Sequence, residues 1–298
     1  MKKETDIKEK ILEFSKFENN WNENGAEAFS KKVIENALFL ENFLYISENY
    51  LIPEIFLTVT GNLQIEYEKE DDYLEIQIRK DGYEFFEVIN NQEYNFNLTL
   101  NECYEIINLI KLFYNPKIEK ACLFTGAFNP PTIAHYHMIE SANNEESFDY
   151  IIFAISNQKF LDKKQRKLGD YAYTEKQRLE MILTMTCQLP NVLIFGVEQG
   201  YTYEVLCAVK EKYQCKDLYF ALGSDKLQEI DRWGFHDKLL KEICFYVLKR
   251  EDSLDYIENK CKELFENTKY VIGQDNEKFK QTCVHQSLNK SFFYRFKS

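Results

Sequence analysis

The sequence lacks the features of a membrane-spanning, disulfide-linked or zinc-binding protein. No apolar run approaches the roughly 20 residues that a helix needs to cross a bilayer. The start, MKKETDIKEKILEF, carries charges where a signal peptide is apolar. None of the eight cysteines belongs to a C-x-x-C pair, and most lie in apolar runs. We therefore expect a cytoplasmic protein whose thiols are reduced and mostly buried.

Basic residues are also in short supply. The chain has 37 lysines and arginines against 49 aspartates and glutamates, which gives a formal net charge of -12. A protein that grips a nucleic-acid backbone usually carries a basic face, so this balance argues against nonspecific binding to nucleic acid. A small local basic pocket remains compatible with it. No internal repeat is found, and no pair of carboxylates has a spacing typical of hydrolases.

Apolar sequence, by contrast, is sufficient for one large or two ordinary domains, since 45% of the 298 residues are hydrophobic. A change of texture near Pro116 divides the chain, and we predict one domain over residues 1–117 and a second over 118–298.

The first domain is predicted to be α+β. Helical patterns cover residues 7–17 and 29–49, and a last helix is expected over 98–114. Between them, apolar and polar residues alternate, with breaks at Gly61-Asn62 and Asp81-Gly82. This pattern predicts an antiparallel meander of three or four strands.

In the second domain, short apolar runs alternate with helical patterns. Strands are predicted at 121–124, 150–155, 192–195, 218–222 and 243–248, and helices at about 132–143, 174–188, 202–213 and 253–267. Strands that are apolar throughout are typical of a sheet covered on both faces. The order predicts an α/β fold with a doubly wound parallel sheet, Rossmann-like, which binds ligands beyond the carboxyl ends of its strands.

Residues 121–142, ACLFTGAFNPPTIAHYHMIESA, are typical of a strand, a tight turn and the start of a helix. Such a junction gathers backbone N–H groups and the positive end of a helix, which suits phosphate. Thr132 and His135 are three residues apart, so they share a helix face and look back at the turn made by Gly126, Phe128 and Asn129. The alternative is that glycine and proline only punctuate a loop and that His135 is structural.

A second cluster of interest follows the strand predicted at 218–222. Gly223 and Asp225 should lie at the same carboxyl edge of the sheet as the turn after residue 124. Without further context, Gly-Ser-Asp after a strand is more often a plain turn or a helix cap.

The stretch GAFNPPTIAH resembles the G-x-F-(N/D)-P-x-(H/T)-x-x-H motif of the nucleotidyltransferase superfamily, in the form found in nicotinamide and nicotinate mononucleotide adenylyltransferases. Further stretches resemble segments of that family in the same order: ISNQKFLDKK, YTEKQRLEMI, GYTYEVL, FALGSDKLQEIDRW and YVLKR. The resemblance covers residues 118–298. It implies transfer of the adenylyl group of ATP to nicotinamide or nicotinate mononucleotide, giving NAD or deamido-NAD and pyrophosphate, with Mg²⁺ held mainly by ATP and water.

The resemblance also implies roles for individual residues. Catalytic contacts to the triphosphate would come from His135, Thr132, Lys164 and Arg295. Nucleotide contacts would come from Gly126, Ala127, Phe128, Asn129, Gly223, Ser224, Asp225 and Ser291. Contacts to the mononucleotide would come from Lys163, Thr202, Trp233 and Arg250. Trp233 is the candidate to stack on the pyridine ring, and its alternative is a hydrophobic plug under a loop.

Several alternatives stay open. The acceptor could be another phosphate ester. The protein could also be a catalytically weak nucleotide-binding sensor, because Phe292 replaces a threonine in KSFFYR, the counterpart of the family's C-terminal motif. The first domain could be a regulator, a spacer, or a module for homo-oligomerisation or for binding a protein partner.

Overall fold

The computed structural model describes residues 7–44, 53–145, 148–159, 161–162, 173–196, 200–250, 252–266 and 268–273. The chain divides into two compact units, each with its own sheet. The first unit comprises residues 1–116 together with 186–190, and the second comprises 117–185 and 191–298. None of the helices described is both long and apolar enough to cross a membrane.

The first unit combines three helices with an antiparallel sheet. Its strands are β1 (Glu54–Leu57), β2 (Leu63–Lys69), β3 (Asp72–Ile78), β4 (Gly82–Ile89) and β5 (Gln92–Thr99), paired in sequence order. Its helices are α1 (Ile7–Phe14), α2 (Lys31–Leu44) and α3 (Cys103–Tyr114). Ile65, Ile76 and Phe85 lie opposite one another in register and are fully buried, so alternate residues of the strands form the core face.

The predicted meander is confirmed, but the number of strands is wrong, because the sheet has five. The missed strand β5 follows a two-residue turn at Asn90 and Asn91, both with positive φ. Its polar sequence, QEYNFNLT, hides the strand pattern. The helix expected over 98–114 therefore starts later, after a 3₁₀ turn at Leu100–Glu102. The helix expected over 29–49 is described from Lys31 to Leu44, and residues 45–49 lie outside the described residues.

The second unit is built on a six-stranded parallel sheet. Its strands are β6 (Lys120–Gly126), β7 (Tyr150–Ile155), β8 (Val192–Gly196), β9 (Asp217–Gly223), β10 (Cys244–Leu248) and β11 (Tyr270–Gly273). Its helices are α4 (Ile133–Glu145), α5 (Glu175–Thr186, whose last residue belongs to the first unit), α6 (Thr202–Tyr213), α7 (His236–Glu242) and α8 (Leu254–Leu264). All six residues of β7 are buried, as expected of a strand covered on both faces.

The order of these strands is β11-β10-β9-β6-β7-β8, which confirms the predicted doubly wound fold. The chain turns outward in both directions from the neighbouring strands β6 and β9, so the switch point lies between them. In sheets of this kind the ligand crevice lies at the carboxyl ends of these two strands. The sequence predicts neither β11 nor α7, because each is too short to establish a period.

Candidate functional site

The turn that follows β6 is shaped by the ring of Phe128. Phe128 is buried and has a φ of 44°, a left-handed conformation that a phenylalanine rarely adopts. The ring lies over Gly126, where an added Cβ would be 3.0 Å from the ring atom Cζ. Glycine at position 126 therefore allows the turn to close over the end of the strand.

His135 meets this turn from the first turn of α4. Its ring packs edge-on against Phe128, with 5.0 Å between the ring centroids. The carbonyl oxygen of Thr132 accepts the backbone N–H groups of His135 at 3.0 Å and Tyr136 at 3.4 Å, so Thr132 caps the helix. The shared orientation of Thr132 and His135 toward the turn is the one that their spacing predicts.

The hydrogen bonds of His135 define which of its ring nitrogens carries the proton. The backbone N–H of Thr132 donates to Nδ1 at 2.8 Å, and the Thr132 hydroxyl lies 2.9 Å from the same nitrogen. Because a backbone N–H can only donate, Nδ1 must be unprotonated, and the neutral ring carries its proton on Nε2. Within the part of the chain that the structure describes, no group accepts that proton. The ring is therefore a neutral donor at the end of β6.

The surroundings of His135 keep it neutral near pH 7. Burial, and secondly the positive charge of Arg250, lower the pKa of His135 from 6.5 to about 4. A phosphate placed beside the ring would raise this pKa, because an opposite charge favours the protonated form. The ligand-free site thus presents an N–H donor without a charge of its own.

A polar network at the ends of β9 and β10 forms the other half of the site. The Ser224 hydroxyl lies 2.5 Å from the Asp252 carboxylate and accepts the backbone N–H of Arg250 at 3.1 Å. The side chain of Arg250 forms an ion pair with Asp225, with 3.5 Å between Nε and Oδ1. A Cβ at position 223 would run into the Asp225 carboxylate and come within 2.8 Å of Arg250 Nε, so both side chains would have to shift and their ion pair would be disturbed.

The two halves are electrostatically connected, since the charge of Arg250 acts on His135. The structure therefore brings together most of the predicted nucleotide-binding residues at the switch point. Asn129 differs from the others in what its side chain contacts: its Oδ1 accepts the backbone N–H of Tyr173 at 2.8 Å, which ties the turn to the segment before α5.

Two residues predicted to contact the mononucleotide lie on later elements. Thr202 is the first residue of α6. Trp233 is half-buried and packs edge-on against Phe220 of β9, with 6.0 Å between ring centroids. That packing fits the plug alternative for one edge of the indole, and stacking on a pyridine ring stays a prediction.

Four predicted residues fall outside the described residues. They are Lys163, Lys164, Ser291 and Arg295. Their predicted phosphate contacts stay predictions. In the described ranges, no group of three or more His, Cys, Asp or Glu side chains could hold a metal ion.

Arg178 is not among the site residues that the sequence predicts. This residue of α5 is fully buried, and its guanidinium donates to the backbone carbonyls of Ala127 at 2.7 Å and Ser156 at 2.8 Å. An arginine in the first turns of an amphipathic helix is usually exposed, so the sequence carries little sign of this role. The only available signal is its place in YTEKQRLEMI, the stretch that resembles an arginine-containing family segment.

The chain is similar to known proteins of the nucleotidyltransferase type. The family described as cytidylyltransferase-like matches residues 123–290. A protein of Acholeplasma laidlawii named "Probable nicotinate-nucleotide adenylyltransferase" is 30% identical over 134 residues, which cover 44% of this chain and 67% of that protein. A Lactococcus lactis protein of the same name is 27% identical over 142 residues, 46% of this chain and 70% of its own.

Among solved structures, the nicotinic acid mononucleotide adenylyltransferase of Plasmodium falciparum complexed with APC aligns at 20% identity with a TM-score of 0.43, over 54% of this chain and 78% of that chain. The assignment rests on the family match and the sequence relatives rather than on this alignment. The family match begins at residue 123 and leaves the first unit uncovered. The chain belongs to the cytidylyltransferase-like family and is an enzyme of the nucleotidyltransferase type.

Proposed function

We propose that the enzyme transfers the adenylyl group of ATP to nicotinate or nicotinamide mononucleotide, releasing pyrophosphate. The names of the two sequence relatives contain the nicotinate form of the acceptor, and the motif resemblance covers both the nicotinate and the nicotinamide forms. The observation that carries the proposal is the neutral His135, whose Nε2–H is fixed by Thr132 beside a glycine turn at the switch point.

The chemistry needs donors more than bases. A phosphate oxygen of the mononucleotide is already ionised near pH 7, and it attacks the α-phosphorus of ATP. The new phosphorus–oxygen bond forms as the bond between the α-phosphorus and the bridging oxygen breaks, and pyrophosphate leaves with the electron pair. The barrier falls when fixed donors stabilise the negative charge that accumulates on the leaving group.

His135 is suited to supply one such donor. Its ring is held on one side by Thr132 and packs against Phe128, so its direction is set before ATP arrives. A preorganised donor costs no reorganisation during the reaction. Arg250 adds a positive charge on the β9 and β10 side of the site, where Asp225 orients it.

Mg²⁺ is expected to enter with ATP. The described residues contain no cluster of three ligating side chains, and phosphate oxygen and water are the donors proposed for the ion. When bound, Mg²⁺ would neutralise part of the triphosphate charge. Lys164, Ser291 and Arg295 remain the proposed further contacts to the phosphates of ATP. The proposed contacts to the mononucleotide are Lys163, Thr202, Trp233 and Arg250.

The test is product formation. Purified protein is incubated with ATP, Mg²⁺ and each mononucleotide, and dinucleotide and pyrophosphate are measured. We expect dinucleotide from the wild type, and a loss of kcat of about a hundredfold or more in His135→Ala, the usual cost of removing one such donor. His137→Ala is the matched control, because His137 lies on the same helix but pairs with Glu140 at 2.7 Å. It should keep wild-type activity.

Other outcomes would redirect the proposal. Product from a different phosphate ester only would identify another acceptor within the same enzyme type. Binding of ATP without any product, unchanged by His135→Ala, would favour the sensor alternative.

A further inference from the structure

Arg178 is a buried cation that joins the ends of two neighbouring strands. Its Nη1 donates to the carbonyl of Ala127, just beyond β6, at 2.7 Å. Its Nη2 donates to the carbonyl of Ser156, just beyond β7, at 2.8 Å, and to the Gln158 side chain at 3.2 Å. The rigid fork of a guanidinium can hold both carbonyls at once, which a single ammonium group cannot do in the same geometry.

The burial of this charge is costly. Arg178 has no exposed surface, and its Nε is buried without a hydrogen-bond partner. Burial lowers the pKa of Arg178, while the charges of Glu175 and Asp162 raise it. Neither of these two described carboxylates forms an ion pair with Arg178. A hydrophobic side chain would fill such a place at less cost if packing were its only purpose. The position therefore points to a use for the fixed hydrogen bonds.

The carbonyl held by Nη1 belongs to the peptide group that joins Ala127 to Phe128. Rotation of that peptide about the N–Cα bond of Phe128 is the φ angle of Phe128, which stands at 44°. A bulky residue in this region costs about 1–3 kcal/mol and persists only where neighbours hold it. The hydrogen bond from Arg178 is such a restraint, because it fixes the direction of the Ala127 carbonyl.

The restraint reaches the active site through one ring. Phe128 in this conformation packs against His135, with 5.0 Å between centroids, and against Phe153 of β7 at the same centroid distance. If the Ala127 carbonyl were released, Phe128 could relax toward negative φ, and its ring would leave His135. The Nε2–H of His135 would then lose its fixed direction.

We propose that Arg178 is a positioning residue that locks the turn after β6 in its strained conformation and so aims His135 at the phosphates of ATP. The inference rests on the proposed function, and it concerns geometry rather than the charge of Arg178. Lysine at position 178 would keep the positive charge but could not hold both carbonyls in the same geometry, so it should not replace arginine in this role.

The experiment compares Arg178→Lys and Arg178→Met with the wild type. Lys216→Met is the matched control, because it removes an exposed cation just before β9, at the amino ends of the strands and away from the site at their carboxyl ends. The readouts are kcat per folded molecule, the affinity for ATP without acceptor, and the ¹⁵N signals of the His135 ring. The chain has only four histidines, so these signals can be assigned by substitution.

We expect both Arg178 variants to lose about ten- to a hundredfold in kcat per folded molecule, as misplacement of a catalytic group commonly costs. The kcat of Arg178→Lys should be within about threefold of the kcat of Arg178→Met, and both variants should show altered His135 ring signals. Lys216→Met should match the wild type in every readout.

Three results would overturn the inference: wild-type kcat in Arg178→Lys, losses fully explained by the unfolded fraction, or unchanged His135 signals in the folded variants. If Arg178→Met folds poorly, the kcat of Arg178→Lys and the His135 ring signals of folded molecules still test the inference. If the wild type forms no dinucleotide, the proposed function fails, whereas ATP affinity and the His135 signals still decide the role of Arg178.

Discussion

Thr132 determines which ring nitrogen of His135, the candidate catalytic residue, carries the proton. Its backbone N–H occupies Nδ1 of His135, so a proton on that nitrogen would remove the bond. The ring can then donate from Nε2 without first gaining a charge, which makes its role independent of protonation over the neutral pH range.

This arrangement predicts a pH-dependent loss of stability. Because the pKa of His135 is about 4 in the folded chain and near 6.5 when unfolded, only the unfolded chain takes up this proton between these values. The free energy of unfolding should therefore fall as pH drops from about 6.5 to 4, by at most about 3 kcal/mol from this residue. Denaturant titrations of wild type and His135→Gln at both pH values measure it. His236→Gln, at a histidine whose side chain is 40% exposed, serves as control, and equal losses in all three proteins would contradict the assignment.

Gly126→Ala tests the closeness of the Phe128 ring. The new Cβ would lie 3.0–3.3 Å from three ring atoms that His135 and Phe153 hold from other sides. We expect a loss of about 1–3 kcal/mol in the free energy of unfolding and a lower kcat, since the ring must move.

Gly200→Ala is the matched control for stability, because nothing lies within 4 Å of a Cβ at that glycine. Thermal or denaturant unfolding compares the two variants. If Gly126→Ala were as stable as Gly200→Ala, the ring would be movable and the turn less constrained than the contacts indicate.

The sequence predicts the shared orientation of Thr132 and His135, since a spacing of three residues places both on the helix face that looks back at the turn after β6. It does not predict the tautomer of His135, which depends on a backbone hydrogen bond. It also does not predict Arg178 as a buried residue, because burial of a guanidinium depends on two carbonyls that are 51 and 22 residues away in the chain. Such partners are brought together only by the fold.

Among the elements, the β4–β5 hairpin shows most plainly what the sequence conceals. Its two-residue turn is Asn90-Asn91, with φ values of 51° and 61°, the geometry that favours asparagine followed by glycine. The backbone N–H of Asn90 donates to the Asp72 carboxylate at 3.0 Å, which ties this turn to the start of β3.

We predict that Asn91→Gly stabilises the first unit. Glycine adopts positive φ without the steric cost that asparagine bears, so the free energy of unfolding should rise by about 0.5 kcal/mol. Asn97→Gly makes the same change at an exposed position inside β5, where lost backbone entropy should lower stability instead. Denaturant titration of both variants measures the two changes in the free energy of unfolding, which should have opposite signs. Equal changes would show that the positive φ of the turn does not limit stability.

The strongly apolar strands from β6 to β10 are predictable because both of their faces are buried and their sequences carry little ambiguity. The strand β5 escapes prediction because its residues are largely exposed and polar, and hairpin pairing rather than burial makes it a strand. The strand β11 is short and is specified by its partner β10.

At the scale of the whole molecule, a local site proposed for phosphate belongs to a chain with a strongly acidic charge balance. The formal net charge of -12 should repel a polyanion, while Arg250 and the N–H donors at the end of β6 act only over short distances.

We therefore predict that duplex DNA in excess leaves the rate of dinucleotide formation unchanged, because no basic face would bind its backbone. Pyrophosphate at the same phosphate concentration should compete with ATP. Steady-state rates with each additive, at low and at moderate salt, make the comparison. Inhibition by DNA that weakens as salt increases would show that a basic surface exists after all.

The division of the chain has a consequence for its synthesis. The first unit includes residues 186–190, which are made only after most of the second unit's first half has been translated. On the ribosome, domains usually complete their folding in the order in which they emerge. Here a five-residue segment of the amino-terminal unit begins 70 residues after its main portion ends at Pro116, so we expect that unit to complete its contacts only after residue 190 has been translated.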